Sequence, residues 1–253
     1  MFGPTPRWPT LDRISVELTR ECSKGCSFCY NGSSPSGATA WTATELVHFA
    51  SDCAKNGIEA ISLGGGEPLQ YPDLFEVLRG LDGVLFRSLT TNGLLLDRAI
   101  DELAEARPDK VHISIHFPDR EREVSRVIRQ VGELAARGIA SGVNLLVRKS
   151  GLDAATGSTA DLVAAGIGLE RIVFLPMRGA DTPTPSELAV VAGQARFQSM
   201  TCLLGCAASQ RFASIGWDRR VAWCSYTTSR VPMPSLDYRG LIAGLTGLEL
   251  LTC

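Results

Sequence analysis

TRECSKGCSFCYNG, residues 19–32, places Cys22, Cys26 and Cys29 within eight positions, directly after a run that predicts a β-strand. Three thiols this close can form a disulfide, bind a zinc ion, or hold an iron–sulfur cluster in which one iron stays open. A structural zinc site normally has a fourth Cys or His ligand nearby. The next downstream candidate, His48, lies in a predicted helix. The spacing alone leaves the three alternatives open.

Beyond this stretch, short β-rich runs alternate with helical stretches, a pattern typical of repeated βα units and a parallel sheet. The predicted strands are 14–18, 58–63, 84–89, 110–115, 142–147 and 171–175. The helices carry their own signals, since Thr42 and Glu45 predict a capping box and apolar residues recur at helical spacing over 120–137. We therefore predict the α/β class, a partial (β/α)6 TIM-like barrel of parallel strands.

The composition is that of an ordinary soluble globular protein. The chain has 253 residues, 45% hydrophobic and 21% charged, with a net charge of -2, so it has no electrostatic bias toward nucleic acid or anionic membranes. It contains neither a secretory signal nor an apolar run of about 18 residues. We therefore predict a cytoplasmic protein that binds no nucleic acid and no membrane. Eight cysteines in that reducing compartment favour metal or redox chemistry over disulfides.

The unusual residues follow the predicted strands, at the end where parallel βα sheets carry their chemistry. In strand order these are the cysteine stretch, GGGEP (64–68), TTNG (90–93), His116, Arg148 and PMR (176–178). Six consecutive loops should therefore converge on one end of the predicted barrel.

The pattern Cys22-x3-Cys26-x2-Cys29, with Phe28 before the third cysteine, resembles the signature of radical S-adenosylmethionine (SAM) enzymes. The predicted barrel resembles the fold of the same family. The resemblance implies a 4Fe-4S cluster on the three thiolates, with the amino and carboxylate groups of SAM on the fourth iron. It also implies that an electron from a flavodoxin- or ferredoxin-type donor cleaves SAM to methionine and a 5'-deoxyadenosyl radical, which abstracts a substrate hydrogen.

GGGEP resembles the glycine-glycine-glutamate motif of the family. In that motif Gly65 and Gly66 would let the backbone approach the SAM amino group, and Glu67 would accept from the ammonium. The other SAM contacts that the resemblance implies are Phe28, Thr91, Asn92, Ser114, His116, Arg148, Val173 and Leu175. His116 and Arg148 are also the candidate catalytic residues, although Arg148 could instead form an ion pair at the surface.

Two further residues of the predicted barrel receive a structural interpretation. His112 shares a strand face with Ser114 and His116 by period-2 alternation, and we interpret it as an interior packing residue rather than a catalyst. Cys53 lies on the apolar stripe of the first predicted helix, and we interpret it as an ordinary buried thiol.

A Pro-rich linker after residue 180 separates the predicted barrel domain, 11–180, from a C-terminal domain, 181–253. FASIGWDRRVAWC (212–224) predicts two short strands with a turn near 217–220. Cys206-x17-Cys224 across this hairpin resembles the SPASM/twitch extensions of some radical SAM enzymes. That resemblance implies an auxiliary iron–sulfur cluster on Cys202, Cys206, Cys224 and Cys253. The alternative is that these cysteines only pack.

The C-terminal region departs from that family pattern in two ways. The hairpin of the family usually carries glycine where this chain has Arg219. The sequence also stops at Cys253, so this cysteine is either the last ligand or the end of a truncated version.

We predict a radical SAM enzyme of oxidoreductase type that oxidises or rearranges a small carbohydrate-like metabolite with help from the auxiliary cluster. The alternative is a peptide maturase that crosslinks or epimerises a ribosomally synthesised precursor. Residues 1–13 leave no room for the peptide-recognition domain of many maturases, which favours the small substrate. A non-enzymatic, metal-stabilised binding protein is disfavoured by the converging motifs.

Overall fold

The computed structural model describes residues 11–193, 198–199 and 211–249. In chain order its elements are β1 (Arg13–Thr19), α1 (Ala43–Lys55), β2 (Ala60–Gly65), α2 (Leu74–Gly80), β3 (Phe86–Thr91), α3 (Leu96–Ala106), β4 (Lys110–Ile115), α4 (Glu121–Ala136), β5 (Ser141–Val147), α5 (Leu152–Ala164), β6 (Ile172–Pro176), α6 (Pro185–Val191), β7 (Gln198–Ser199), β8 (Phe212–Ile215), β9 (Arg220–Ala222), β10 (Val231–Pro232) and α7 (Tyr238–Thr246). These elements form two compact units, 11–87 with 211–249 and 88–193 with 198–199.

The first unit has strands in the order β10-β9-β8-β1-β2. β1 pairs in parallel with both β2 and β8, whereas β8, β9 and β10 pair in antiparallel fashion. Alternate residues of β1 face opposite sides. Ile14, Val16 and Leu18 are buried among apolar residues, and Glu17 lies on the other face. The helix layer of this unit supplies Leu46, Phe49, Leu74, Val77, Leu241 and Leu245 to its core.

The second unit has strands in the order β3-β4-β5-β6-β7, and each neighbouring pair is parallel. One sheet face is fully buried and includes Val111, Ile113 and Phe174. The opposite face carries the half-buried residues Asn144 and Val173. In the amphipathic helix α4, Val124, Val127, Val131 and Leu134 are buried.

The predicted α/β class with parallel βα units is confirmed, and so is the Thr42–Glu45 capping box. β2 and β3 begin two residues later than predicted. Before β2, the Ile58 N–H still donates to the Cys53 carbonyl at the end of α1. Before β3, the Val84 N–H closes a turn on Leu81. Only the strand boundaries differ from the prediction, and alternation along each strand still places the side chains on their expected faces.

The C-terminal region contains the two predicted short strands as β8 and β9, joined by a turn over 216–219. The predicted helix 236–250 is α7, which ends at Thr246, and the predicted helix 186–197 is α6, which ends at Val191. Because β8 pairs with β1, part of the predicted C-terminal domain shares a sheet with the first strand. In the part of the chain that the structure describes, no helix combines the length and apolarity required to cross a membrane.

Candidate functional site

The loop between β1 and α1, residues 20–42, carries the three clustered cysteines and is called the cysteine loop. Its conformation is stabilised by its own backbone hydrogen bonds. The Cys22 N–H donates to the Ser34 carbonyl (2.9 Å), the Ser34 N–H donates to the Arg20 carbonyl (3.0 Å), and the Arg20 N–H donates to the Ala38 carbonyl (2.9 Å). A tight turn follows, in which the Cys29 N–H donates to the Cys26 carbonyl (3.1 Å). Backbone hydrogen bonds therefore fix the chain around all three cysteines.

Cys22, Cys26 and Cys29 are half-buried cysteines outside any disulfide. The Cys29 thiol donates to Asn31 Oδ1 at 3.0 Å. Among the residues that the structure describes, no three His, Cys, Asp or Glu side chains are arranged to hold a single metal ion. Three partly exposed thiols on one loop fit the donor set of a 4Fe-4S cluster that leaves one iron open to another ligand.

GGGEP packs directly against the beginning of the cysteine loop. The Gly66 N–H donates to the Thr19 carbonyl at 2.6 Å, and the Glu67 N–H donates to the Glu21 carbonyl at 2.8 Å. A Cβ at position 66 would lie 2.1 Å from the Glu21 oxygen, and one at position 65 would lie 2.6 Å from the Thr19 oxygen. Gly65 also has φ +111, a conformation that L side chains rarely adopt. Both glycines are therefore required for this contact, in addition to their predicted role at SAM.

Glu67 is the most buried acidic side chain of this loop region, at 1% exposure. Its Oε1 accepts from the Leu69 N–H at 3.1 Å and caps the short 3-10 turn Pro68–Gln70. The carboxylate is thus held at the end of β2 by a turn that begins with proline. A buried carboxylate in a fixed position is a suitable acceptor for an ammonium group.

In the second unit, the half-buried sheet face carries several of the predicted residues. Strand register places Ser114 beside Asn144, and Asn144 beside Val173. Leu175 follows on the same face of β6, where Val173 and Leu175 are both half-buried. Two residues of this face are not among the predicted site residues: Asn144, and Thr90, which pairs with His112. Strand alternation in β3 and β5 was the signal that could have identified them.

Thr91 and Asn92 fold the turn after β3. Thr91 is buried, and its neighbour Thr90 occupies the half-buried sheet face instead. The Thr91 hydroxyl accepts from the Gly93 N–H (3.0 Å), and Asn92 Oδ1 accepts from the Leu94 N–H (2.9 Å). Both side chains therefore stabilise the turn, and their contact with SAM stays a prediction.

The structure brings the two candidate catalytic residues together. Arg148 Nη2 donates to the His116 carbonyl at 3.4 Å, and its guanidinium lies 5.3 Å from the centre of the Phe117 ring. The His116 N–H in turn donates to Glu123 Oε1 at 2.7 Å, a contact that the sequence did not reveal. A cavity of about 560 Å³ lies between the loops after β4 and β5, with Arg148 in its wall.

His112 and Cys53 behave as the sequence interpretation expected. His112 Nδ1 lies 3.2 Å from Asn144 Oδ1. Burial and then the Lys110 charge lower the pKa of His112 to about 4, and the bond to Asn144 offsets only part of this effect. The ring is therefore neutral at pH 7. Cys53 is fully buried in α1, and burial raises the pKa of its thiol.

Of the four C-terminal cysteines, only Cys224 belongs to the described residues; Cys202, Cys206 and Cys253 lie outside them. Cys224 is a half-buried cysteine whose sulfur accepts from the Tyr226 N–H at 3.4 Å. The Tyr226 ring contacts the ring of Tyr30, which directly follows Cys29, with 4.8 Å between centroids. The segment after Cys224 therefore packs against the cysteine loop, a contact without a signal in the sequence.

Comparison with known proteins identifies a family. Residues 16–140 match the Radical SAM superfamily. The probable GTP 3',8-cyclase of Methanocella arvoryzae is 34% identical over 112 residues, which cover 44% of this chain and 36% of that protein. The GTP 3',8-cyclase of Chlorobaculum tepidum is 32% identical over 136 residues, which cover 51% of this chain and 40% of that protein. The matches thus span less than half the length of these relatives.

Solved structures share the fold. Streptococcus suis SuiB bound to precursor peptide SuiA superposes with a TM-score of 0.76 at 14% identity, over 93% of this chain and 64% of that chain. The structure of anSMEcpe with bound AdoMet superposes with a TM-score of 0.67 at 14% identity, over 93% of this chain and 81% of that chain. These likenesses establish the fold and confirm the predicted partial-barrel class.

Proposed function

Because the chain belongs to the radical SAM superfamily through residues 16–140, we propose that it reductively cleaves SAM and uses the 5'-deoxyadenosyl radical to abstract a substrate hydrogen. The observation that carries this proposal is the cysteine loop, which carries three half-buried thiols and whose beginning, at the end of β1, is hydrogen-bonded to GGGEP. When bound, a 4Fe-4S cluster supplies the electron for SAM cleavage, and an external flavodoxin- or ferredoxin-type donor supplies the electron that reduces the cluster again.

The residues of the chain divide into those that bind the cluster and those that bind SAM. Cys22, Cys26 and Cys29 are the proposed cluster ligands, and Glu67 is the proposed acceptor for the SAM ammonium. Its burial and its fixed turn support this role, because a desolvated carboxylate attracts an ammonium more strongly than an exposed one. The proposed contacts that rest on the resemblance are Phe28, Gly65, Gly66, Thr91, Asn92, Ser114, His116, Arg148, Val173 and Leu175.

As substrate we propose a small carbohydrate-like metabolite that is oxidised or rearranged. The half-buried face of the second unit supports this choice, since Thr90, Ser114 and Asn144 offer hydroxyl and amide groups for hydrogen bonds to hydroxyl groups. The relatives named GTP 3',8-cyclase also favour a small molecule. An auxiliary iron–sulfur cluster on Cys202, Cys206, Cys224 and Cys253 would accept the electron released by substrate oxidation.

A second candidate function is the maturation of a peptide. SuiB bound to its precursor peptide covers 93% of this chain at a TM-score of 0.76. A fold that accommodates a peptide in one protein could do so here, with the peptide in place of the sugar. Transfer of deuterium from labelled candidates to 5'-deoxyadenosine distinguishes the two functions, because only the true substrate donates the hydrogen.

The proposed SAM cleavage is tested by anaerobic reconstitution with iron and sulfide, followed by dithionite and SAM. We expect 5'-deoxyadenosine from the unmodified protein and at least a 100-fold loss in C26A, because a missing thiolate removes one of three cluster ligands. C53A is the matched control, since Cys53 is a buried thiol on α1 and is not one of the proposed cluster ligands. A reconstituted protein that never cleaves SAM would contradict the proposal.

The auxiliary cluster is tested separately through C224A. We expect this variant to retain SAM cleavage, lose product formation and bind about four iron atoms per chain instead of about eight. Unchanged iron content and turnover would remove Cys224 from the mechanism and leave it as a packing residue.

A further inference from the structure

Gln70 holds the chain on both sides of Cys22. Its Oε1 accepts from the Ser23 N–H at 2.8 Å, and its Nε2 donates to Glu21 Oε1 at 3.2 Å. Both partners are direct neighbours of Cys22 in the sequence, while Gln70 lies 47 and 49 positions away from them. One side-chain amide thus binds both sequence neighbours of Cys22, the first cysteine of the cluster motif.

The backbone of Gln70 is fixed relative to Glu67. Gln70 ends the 3-10 turn Pro68–Gln70, and its N–H donates to the Glu67 carbonyl at 2.9 Å. The Glu67 N–H donates to the Glu21 carbonyl at 2.8 Å. A single turn therefore carries the buried Glu67 carboxylate at its beginning. At its end it carries the Gln70 amide, which binds the residues on both sides of Cys22.

We propose that Gln70 is a positioning residue that sets the place of the Cys22 sulfur relative to the Glu67 carboxylate, and so couples cluster ligation to binding of the SAM ammonium. This inference rests on the proposed function, in which Cys22 binds the cluster and Glu67 binds SAM. Gln70 itself touches neither group. It acts through the backbone of residues 21–23 and through the turn that it ends.

The physical chemistry favours an amide at this position. Gln supplies one acceptor and one donor, which match the Ser23 N–H and the Glu21 carboxylate. The bond to Ser23 is exposed and the bond to Glu21 is only part-buried, so water can reach a lost partner and their net contribution to folding is small. Groups that orient metal ligands nevertheless affect binding strongly, because their loss typically costs about 10- to 100-fold in affinity or activity. A positioning role therefore predicts weak SAM binding in a well-folded protein.

The test compares Q70A with N56A in protein reconstituted with iron. Asn56 Nδ2 donates to the Asp52 carbonyl at 2.8 Å, so N56A also removes an exposed side-chain amide bond in the same unit. The readout is the change in the electron paramagnetic resonance spectrum of the reduced cluster as SAM is added. We expect Q70A to need about 10- to 100-fold more SAM than the unmodified protein. N56A should match the unmodified protein, and both variants should unfold at similar temperatures.

A swapped pair provides the rescue. In E21Q/Q70E, the introduced carboxylate can accept from both the Ser23 N–H and the amide introduced at position 21, so both bonds are rebuilt with one donor reversed. Q70E alone places two carboxylates against each other and should bind SAM at least as weakly as Q70A. We expect the double variant to recover most of the SAM affinity, which a role limited to filling space would not produce.

Two results separate this inference from the proposed function. If the unmodified protein binds no cluster or shows no response to SAM, the proposed function fails and this inference fails with it. If the unmodified protein responds to SAM and Q70A responds at the same concentration, only the role of Gln70 is overturned. Failure of E21Q/Q70E to improve on Q70E would likewise overturn it.

Discussion

Arg219 occupies a backbone conformation that favours glycine. Its φ is +63 in the turn between β8 and β9, and the left-handed region costs an L residue about 1 kcal/mol. The side chain offsets this cost through three contacts. It pairs with Glu45 Oε2 at 2.5 Å, donates to the Ala40 carbonyl, and lies 5.4 Å from the centre of the Trp41 ring. An arginine can therefore occupy a turn position whose backbone conformation favours glycine.

We expect R219A to lower the free energy of unfolding by about 1 kcal/mol more than R219G does, as measured by urea denaturation. Both variants lose the contacts with Glu45 and Trp41, but only glycine relieves the left-handed backbone. Arg137 is the matched control, because it is also paired with an acidic residue and has φ -98 at the end of α4. There alanine should be more stable than glycine. The same order of stability at both positions would contradict the explanation.

Among the elements, the β8–β9 hairpin packs against the cysteine loop through its turn residues Gly216 and Trp217. Trp41 Nε1 donates to the Gly216 carbonyl at 3.1 Å, and the Ala40 N–H donates to the Trp217 carbonyl at 2.9 Å. The Arg20 guanidinium lies 5.3 Å from the centre of the Trp217 ring. The hairpin therefore holds both ends of the loop between β1 and α1. We infer that the segment from residue 211 onward is required to position the cysteines, whatever its own cysteines bind.

An ion pair between the buried Glu17 and the half-buried Arg230 joins the segment after β9 to β1. Arg230 Nη2 donates to Glu17 Oε1 (3.1 Å), Ser214 Oγ (3.3 Å) and the Ser225 carbonyl (3.0 Å). Burial raises the pKa of Glu17, and the charge of Arg230 only partly reverses this effect. The pair therefore gains less from mutual attraction than Glu17 loses on leaving water, which is typical of buried ion pairs.

For this pair we expect R230M to reduce the free energy of unfolding by about 3 kcal/mol, because it leaves the Glu17 carboxylate buried without its cation. E17Q/R230M should come within about 1 kcal/mol of the unmodified protein, since the amide removes the charge and can still accept a hydrogen bond. Urea denaturation of the single and double variants measures the coupling. If the double variant loses as much stability as the sum of the singles, the pair is not coupled.

For the whole molecule, the sequence predicts what is local or periodic. The six βα units, the Thr42 capping box and the loops at the strand ends all follow from spacing and turn chemistry within short windows. The pairing of β8 with β1 does not, because it joins segments about two hundred residues apart without a local signal. Contacts within the candidate site divide in the same way. GGGEP is readable as a motif, but the contact of Gln70 with Ser23 is visible only once the two loops are folded together.

The pH dependence of unfolding is a property of the whole chain to which His112 contributes an identifiable part. Its pKa is about 4 in the folded protein against an ordinary value of 6.5. Between these values the unfolded chain takes up a proton that the folded chain does not. The free energy of unfolding therefore falls as the pH drops from about 6.5 to about 4, and above this interval His112 contributes no pH dependence. The full effect is at most about 3 kcal/mol, because one pKa unit corresponds to about 1.4 kcal/mol.

We expect H112Q to lose less stability than the unmodified protein when iron-free samples are unfolded in urea at pH 7 and at pH 4. The glutamine does not titrate and can still donate a hydrogen bond to Asn144, so the variant lacks the proton uptake that weakens the unmodified protein. The chain has three histidines, and His48 is exposed on α1, which makes H48Q the matched control. H48Q should keep the full pH dependence, because this substitution leaves His112 and its buried surroundings unchanged. If H112Q and the unmodified protein lose the same free energy of unfolding between pH 7 and pH 4, His112 is protonated at its ordinary pKa in the folded state.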